Sequence, residues 1–499
     1  MRILGTEFVH LASPDYAREF LSQADTFRKV ILTDRMGSFN LATKFLGAAN
    51  VVFSNGDIWR RHRRISNPAF HKSWNTDVFG SVTTTLCGLL DRLNMDDFER
   101  ENGVDIHDLV QRLTLDALGL AAFGFDFKVE SSYQSITFII RNEPESNVTH
   151  VIPACSRSTT RKEPTSKSST SSSAVRTYHI ALAVLVNVTY LRPIPSSAGV
   201  NNPTYFLIPT FDRFPLGHRA GLHKKLEQFD RLIFDIIDKK REQLRCSGEI
   251  DEIKADLLTM MIRATDLEGA ARGLSTKELR DNMSIFFLAG HDTTANAISC
   301  ALYLLAVNPV SLSFVSPLSL PLAIATASIL IPHILPQDAQ DKARSEILSI
   351  MGDSDIDPNP STIPTLEQTK SFFYLNLVMK ETIRLCPSVM QLPARTVDKD
   401  TAMGDYVIPR GTQVLLNIYS IHHNKRYWGE DVEQFRPERF EEEGKRDPLA
   451  FLAFSYGSRA FRRYEIHLPA DSPYKNGLSY GSGTLMHPIN LRLQFKPRF

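Results

Sequence analysis

Apolar residues occupy nearly every position of Phe286–Leu305, on both sides of a short polar centre. A helix that is apolar on all of its faces is buried, so this segment predicts a long helix through the core. The centre, Gly290–Thr294, contains a glycine, which costs roughly 1 kcal/mol relative to alanine inside a helix. It also contains an acid and two hydroxyls, which are costly to bury unless they are paired or used.

Two interpretations of this polar centre are open. The hydroxyls of Thr293 and Thr294 can donate back to carbonyl groups one turn earlier, as in an ordinary core helix. Alternatively, Asp292 and Thr293 pass protons, and the missing side chain of Gly290 lets a bulky group lie flat against the helix. The segment by itself does not decide between them.

Patterns elsewhere predict a mainly helical chain with small β-sheets. Phe8–Leu11 has the composition of a strand, and Ser13 followed by Pro14 is typical of a helix start, here for a helix through Tyr16–Leu21. Further helices are expected over Ile106–Phe127, His218–Leu244 and Ile253–Ala264, and a strand, a turn and a second strand over Tyr406–Thr412.

The composition argues against several classes of protein. The 499 residues include 57 basic and 56 acidic side chains for a net charge of +1, which gives no sign of a nucleic-acid surface. The five cysteines show no CxxC pair, so neither a disulfide framework nor a zinc site is expected, and a reducing compartment fits. The first 21 residues contain neither a signal-peptide core nor a membrane span.

Three stretches differ in composition from the rest of the chain, and we expect them to be insertions of intronic origin. Residues 148–173 include a serine-rich run that is poor in apolar side chains, and residues 184–198 interrupt a helical pattern. Residues 310–337 contain no Asp, Glu, Lys or Arg and have the length of a membrane span, but their four prolines argue against one continuous helix. Removing them joins Pro309 directly to Asp338.

Two motifs place opposite or complementary groups on one helical face. Trp59 and Arg63 lie four positions apart, although a run of arginines is more often a solvated basic helix. Glu381 and Arg384 lie three apart, a spacing that is common on helix surfaces. Each motif alone is weak.

The order of the motifs is more specific. With Ala289-Gly290-x-Asp292-Thr293, with Pro-Glu-Arg-Phe ending at Phe440, and with Phe-x-x-Gly-x-Arg beginning at Phe454, they resemble the cytochrome P450 haem-thiolate monooxygenases of the eukaryotic microsomal type. The resemblance covers nearly all of the chain outside the three stretches. It implies one domain over residues 1–499 with the cytochrome P450 fold, mainly α with small β-sheets, and haem b as cofactor.

The resemblance also implies roles for the motif residues. Trp59, Arg63 and Arg395 would hold the haem propionates, since a fixed bidentate cation suits a carboxylate. Asp292 and Thr293 would relay protons to dioxygen. The remaining haem contacts would come from Ala289, Gly290, Phe454, Gly457 and Arg459. Glu381, Arg384 and Arg439 would form a buried charge network that locks the haem-binding loop.

The last motif departs from the family pattern. That pattern continues to a cysteine, whose thiolate is the axial ligand of the iron, and then to a glycine. Here Phe461 occupies the cysteine position and Arg463 the glycine position, and the following residues already have the composition of a later strand. We therefore expect the ligand and the helix behind it to be missing together, so that the chain as written lacks a metal ligand and is inactive.

By resemblance, the intact protein would oxidise a small apolar organic substrate with O₂ and electrons from NADPH–cytochrome P450 reductase. It would act at the cytoplasmic face of the endoplasmic reticulum membrane, and we expect the present chain to be truncated before its membrane anchor. Two other functions are open: a haem-free pseudoenzyme or scaffold, and a membrane protein that spans the bilayer at residues 310–335.

Overall fold

Helices make up most of the chain that the structure, a computed structural model, describes. The predicted class, mainly α with small β-sheets, is confirmed. The three predicted insertions and the last sequence motif lie outside the described residues. Those residues are 2–3, 6–23, 25–70, 76–94, 103–127, 212, 218–246, 255–307, 339–352, 363–441, 447–453, 464–467 and 491–497.

The elements are numbered here in chain order. The helices are α1 (Pro14–Ser22), α2 (Leu32–Met36), α3 (Leu41–Leu46), α4 (Gly56–Phe70), α5 (Thr76–Asn94), α6 (Ile106–Leu118), α7 (His218–Cys246), α8 (Leu257–Arg272), α9 (Thr276–Val307), α10 (Ala339–Met351), α11 (Leu366–Ser371), α12 (Phe373–Leu385), α13 (Ile418–His422) and α14 (Lys425–Trp428). The strands are β1 (Arg2–Ile3), β2 (Thr6–Leu11), β3 (Phe27–Lys29), β4 (Val104–Asp105), β5 (Arg395–Val397), β6 (Thr401–Met403), β7 (Tyr406–Ile408), β8 (Gln413–Leu416), β9 (Tyr464–His467) and β10 (Arg492–Pro497).

Helix α9 contains the predicted central helix and joins two cores. Its first half, through Phe287, packs in one apolar cluster with α3, α7 and α8. Its second half, from Ala295, packs in another with α5, α6, α10 and α12. Burying one large apolar side chain contributes about 1.5–3 kcal/mol, so these two clusters fix the helix firmly. The polar centre lies at the junction between them.

Two predicted helix boundaries are wrong. The helix expected over Ile106–Phe127 ends as an α-helix at Leu118, continues as a π-helical turn, and stops at Gly124, whose φ of 60° is left-handed and suits glycine. The helix expected from Ile253 begins at Leu257 instead. Asp256 caps it by accepting a hydrogen bond from the Thr259 amide at 2.8 Å.

The largest sheet has five strands in the order β1-β2-β8-β5-β3. Strand β2 pairs with β8 in parallel, and β3 pairs with β5 antiparallel. In the second pair Phe27 lies opposite Val397 and both are buried, while Lys29 lies opposite Arg395. The strand expected at Tyr406 is β7, which forms a hairpin with β6.

Within the described ranges, no helix is both long enough and apolar enough to cross a membrane. The span considered at residues 310–335 falls in a gap between those ranges.

Candidate functional site

The polar centre of α9 is open on one side. Ala289 is exposed and Thr293, one turn later, is partly exposed, although most of the helix is buried. The Thr293 hydroxyl donates to the Ala289 carbonyl at 2.6 Å, and the Thr294 hydroxyl donates to the Gly290 carbonyl at 2.7 Å. Both threonines therefore bond back along the helix, and each oxygen still has a lone pair with which to accept a further hydrogen bond.

Gly290 serves the packing of two helices. A Cβ atom at this position would lie 2.8 Å from Cδ1 of Leu118 on α6, closer than real Cβ contacts come. The absent side chain thus lets α6 approach α9. Ala289 is exposed and both Gly290 and Thr293 are partly exposed, so the contact with a bulky group expected at Gly290 stays a prediction.

Asp292 and His291 are the buried titratable groups of this centre, and each is 1% exposed. The Asp292 carboxylate accepts a hydrogen bond from Nε2 of Gln111 on α6 at 3.2 Å. Burial lowers the pKa of His291, so its imidazole is neutral near pH 7. Gln111 had no signal in the sequence, because it becomes a partner of Asp292 only when α6 packs on α9.

A second group of residues brings three cations together. Arg63 on α4 and Arg395 on β5 lie near Lys29, which neither the motifs nor the spacing had indicated. The Lys29 ammonium lies 5.2 Å from the centre of the Trp59 ring and donates to the Val51 carbonyl at 3.2 Å. We call Lys29, Arg63 and Arg395 the cation cluster.

Burial and the two neighbouring arginines destabilise the charge of Lys29. Burial, then the charge of Arg395, then that of Arg63 lower the pKa of Lys29 to about 8. Burial also lowers the pKa of Arg395, whose guanidinium donates to the Phe20 carbonyl at 3.2 Å and lies over the Phe20 ring. Like charges held this close favour an anion between them.

Arg63 differs from the other arginines of α4. The others form ion pairs, whereas Arg63 forms no hydrogen bond or ion pair with any residue that the structure describes. Arg60, Arg63 and Arg64 are exposed, so the solvated basic helix raised by the sequence stays open as an alternative for this face. The paired arginines are Arg60 with Asp57, Arg61 with Glu278, and Arg64 with Glu268.

Glu381, Arg384 and Arg439 lie together, and each is 0% exposed. Arg384 binds the Glu381 carboxylate through Nε at 2.7 Å and Nη2 at 2.8 Å, and Arg439 binds it through Nε at 2.9 Å. Asp431 accepts from Arg439 at 3.2 Å and also from Arg436 at 2.9 Å, so a second carboxylate extends the network. The network ties α12 to the segment that contains Pro437–Phe440.

The remaining candidates, Phe454, Gly457, Arg459 and the ligand position Phe461, lie outside the described residues. The described cysteines include two buried ones, Cys300 and Cys386, both in the core cluster of α9 and α12. A hydrogen bond between their thiols, and burial, hold the pKa of Cys300 well above its usual value, so a thiolate is disfavoured there.

These residues fit a haem at one end only. The cation cluster, with the Trp59 ring beside it, suits the two carboxylates of the porphyrin, and the open face at Ala289 offers it an apolar surface. The side that would bind the iron does not fit, because Phe461 occupies the ligand position and the two buried cysteines, Cys300 and Cys386, pack in the core.

Comparison with known proteins gives the family. The model of the cytochrome P450 family matches residues 1–151, 197–312 and 322–460. Cytochrome P450 4F8 of Homo sapiens is 26% identical over 479 residues, which cover 92% of this chain and 73% of that protein. Cytochrome P450 734A1 of Arabidopsis thaliana is 24% identical over 463 residues, which cover 90% and 68%. Members of this family are haem-dependent monooxygenases that take electrons from redox partners, and this chain belongs to the cytochrome P450 family.

Proposed function

We propose that this chain is the scaffold of a haem-dependent monooxygenase for a small apolar organic substrate, and that as written it lacks the ligand for that activity. The observation that carries the cofactor assignment is the cation cluster beside Trp59, where Lys29 lies opposite Arg395 and its ammonium lies 5.2 Å from the centre of the Trp59 ring. The observation that removes the activity is Phe461 at the ligand position.

Haem bound through a cysteine thiolate supplies the oxygen chemistry of this family, because the thiolate donates electron density to the iron. Phenylalanine has no atom that can ligate iron, so no catalytic step is assigned to this chain. We therefore propose that the chain as written is inactive, and the haem-free pseudoenzyme or scaffold remains the alternative function.

In an intact version of the site, Asp292 and Thr293 would hold and move a proton at the open face of α9. Gln111 donates to one oxygen of the Asp292 carboxylate at 3.2 Å and so fixes its orientation on α9. The Thr293 hydroxyl is partly exposed and can accept a hydrogen bond while it donates to the Ala289 carbonyl. A positioned proton donor of this kind typically contributes about 10²–10⁴-fold in rate.

We also propose that residues 1–499 are one domain interrupted at 148–173, 184–198 and 310–337. The family match supports interruptions in these regions, because it omits residues 152–196 and 313–321, although it includes residues 322–337. It also ends at residue 460, immediately before Phe461, where the sequence leaves the haem-ligand pattern.

By the same resemblance, we assign the intact protein to the cytoplasmic face of the endoplasmic reticulum membrane with NADPH–cytochrome P450 reductase as electron donor. A test is reduction of the purified intact protein by that reductase in microsomes. Residues 1–499 would serve as the reference without a thiolate ligand.

The test of the central proposal is spectroscopic. Residues 1–499 are expressed with haem supplied, reduced, and exposed to carbon monoxide. We expect no strongly red-shifted Soret band, because that band requires thiolate-bound iron. Its appearance would show that another residue supplies the ligand and that Phe461 does not mark the loss of activity.

A further inference from the structure

We propose that Lys29 is a positioning residue that binds a porphyrin carboxylate together with Arg63 and Arg395, and that it links the bound porphyrin to the segment around Val51. This inference rests on the proposed function. It goes beyond it because Lys29 belongs to none of the motifs that indicated the family.

The register of the sheet places two cations side by side. Lys29 and Arg395 are directly opposite each other in the antiparallel pair of β3 and β5. Like charges in that position destabilise a sheet. The neighbouring pair, Phe27 and Val397, is apolar and buried, so the register cannot shift to separate the two charges without moving these side chains to the wrong face. The pairing of β3 and β5 therefore keeps the positive charges of Lys29 and Arg395 next to each other.

The cation cluster carries one more positive charge than a porphyrin has carboxylates. A porphyrin of the haem b type carries two carboxylates, and the motif arginines, Arg63 and Arg395, provide one cation for each. The charged groups that lower the pKa of Lys29 include these two arginines, from α4 and β5. Next to Lys29 on β3, Arg28 pairs at 3.0 Å with Asp398, which follows β5, and both side chains are exposed. Lys29 is thus a third cation, and a bound carboxylate would offset its charge.

The ammonium group of Lys29 has more donors than its contact with Val51 uses. Lys29 has three N–H donors, and one of them goes to the Val51 carbonyl at 3.2 Å. The Trp59 ring, 5.2 Å away, holds the ammonium beside Arg63, which lies one turn further along α4. Two donors remain for a carboxylate.

The Val51 peptide connects this cation to the central helix. Its carbonyl accepts from Lys29, and its amide donates to Oδ1 of Asn282 on α9 at 3.0 Å. Asn282 also contacts the His62 ring, through its Nδ2 at 2.8 Å from Nδ1 of His62. A carboxylate bound to Lys29 would therefore hold the Val51 segment between the cation cluster and α9.

The probe is metal-free protoporphyrin IX, because its binding needs no iron ligand and so does not depend on Phe461. Its dimethyl ester, which lacks the two negative charges, is the comparison ligand. Binding of both to residues 1–499 is measured by fluorescence titration at pH 7 and pH 9. The variants are Lys29→Met and Lys29→Arg, with Lys225→Met as a control, since Lys225 on α7 is also a lysine whose pKa is lowered by burial.

We expect the unsubstituted chain to prefer the diacid over the ester, and to lose affinity for the diacid as pH rises through about 8, where Lys29 loses its proton. Lys29→Met should weaken diacid binding at pH 7 by roughly tenfold, the effect of one charge-assisted hydrogen bond, and abolish the change between pH 7 and pH 9. Lys29→Arg should retain the affinity without the pH dependence, and Lys225→Met should behave as the unsubstituted chain does.

One result would refute the role of Lys29, and another would refute the cofactor assignment itself. If Lys29→Met keeps both the preference for the diacid and its pH dependence, the role of Lys29 is refuted while Arg63 and Arg395 can still bind the porphyrin. If the unsubstituted chain binds diacid and ester equally, the cation cluster is not a propionate site, and the cofactor assignment under the proposed function is refuted with it.

Discussion

Single side chains that violate a local rule mark the candidate site. Lys29 lies opposite another cation, Arg395, in a sheet. Such a cost is retained where a ligand offsets it. At another position, Gly47 has a φ of 80°, a conformation that suits glycine, beside the buried Asp281 carboxylate.

We predict that Gly47→Ala destabilises the protein more than Gly411→Ala does. Both glycines have positive φ, 80° and 84°, so each alanine costs about 1–2 kcal/mol in backbone strain. At Gly47 the new Cβ would also collide with the Asp281 carboxylate, which accepts from the Ala48 and Ala49 amides at 3.1 and 3.4 Å, whereas at Gly411 nothing lies within 4 Å. Measured in urea, the free energy of unfolding should be lower for Gly47→Ala than for Gly411→Ala by about 1–3 kcal/mol. Equal losses would contradict the contact with Asp281.

Pairs of elements are joined by polar contacts as well as by apolar packing. Arg280, Asp281 and Asn282 are consecutive on α9. Arg280 donates to the Phe45 carbonyl at the end of α3, and the other two accept from backbone amides of the segment after α3, at Ala48 and Ala49 and at Val51. Further along the chain, Glu381 joins α12 to the segment around Arg439. Because these groups are buried, the loss of one partner leaves another without compensation.

We predict that Glu381→Gln lowers the free energy of unfolding by about 3–5 kcal/mol, since it leaves Arg384 and Arg439 buried without their shared carboxylate. The control is Glu367→Gln. Glu367 pairs with Lys370 at the same spacing of three residues, but both side chains are mostly exposed. An exposed pair contributes about 0–1 kcal/mol, so that variant should unfold almost as the unsubstituted chain does. Similar losses in both variants would show that burial of the network contributes nothing.

The whole molecule combines a family scaffold with segments that do not follow the family pattern. Helix α9 ends at Val307 and helix α10 begins at Ala339, and both pack in the same core cluster. The uncharged stretch at 310–337 connects them. Its four prolines and its lack of Asp, Glu, Lys and Arg differ from the flanking sequence, which supports the proposal that this stretch is intronic.

We predict that spliced messenger RNA joins the codon of Pro309 directly to that of Asp338. Valine codons begin with GT and a glutamine codon can be CAG, so Val310 and Gln337 fit the two ends of an intron. Sequencing of the transcript measures this directly. Reads that continue intact through Val310 and Gln337 would refute it, and the codons that flank Phe461 in the same reads would show whether a ligand segment is skipped there.

The sequence by itself determined which residues could form the site and the class of the fold. Local signals were sufficient for this, since Ser13 caps α1 as predicted, the apolar run around Gly290 is buried as part of α9, and the spacing of Glu381 and Arg384 places both on one helical face. The family motifs then indicated Trp59, Arg63 and Arg395 together.

Only the tertiary structure decided how these residues are used. Lys29 meets Arg395 because two strands far apart in the chain pair in one register, and Gln111 meets Asp292 because α6 packs on α9. Gly290 is a contact point for Leu118 for the same reason. Contacts of this kind depend on long-range packing, which leaves no periodic signal in the local sequence.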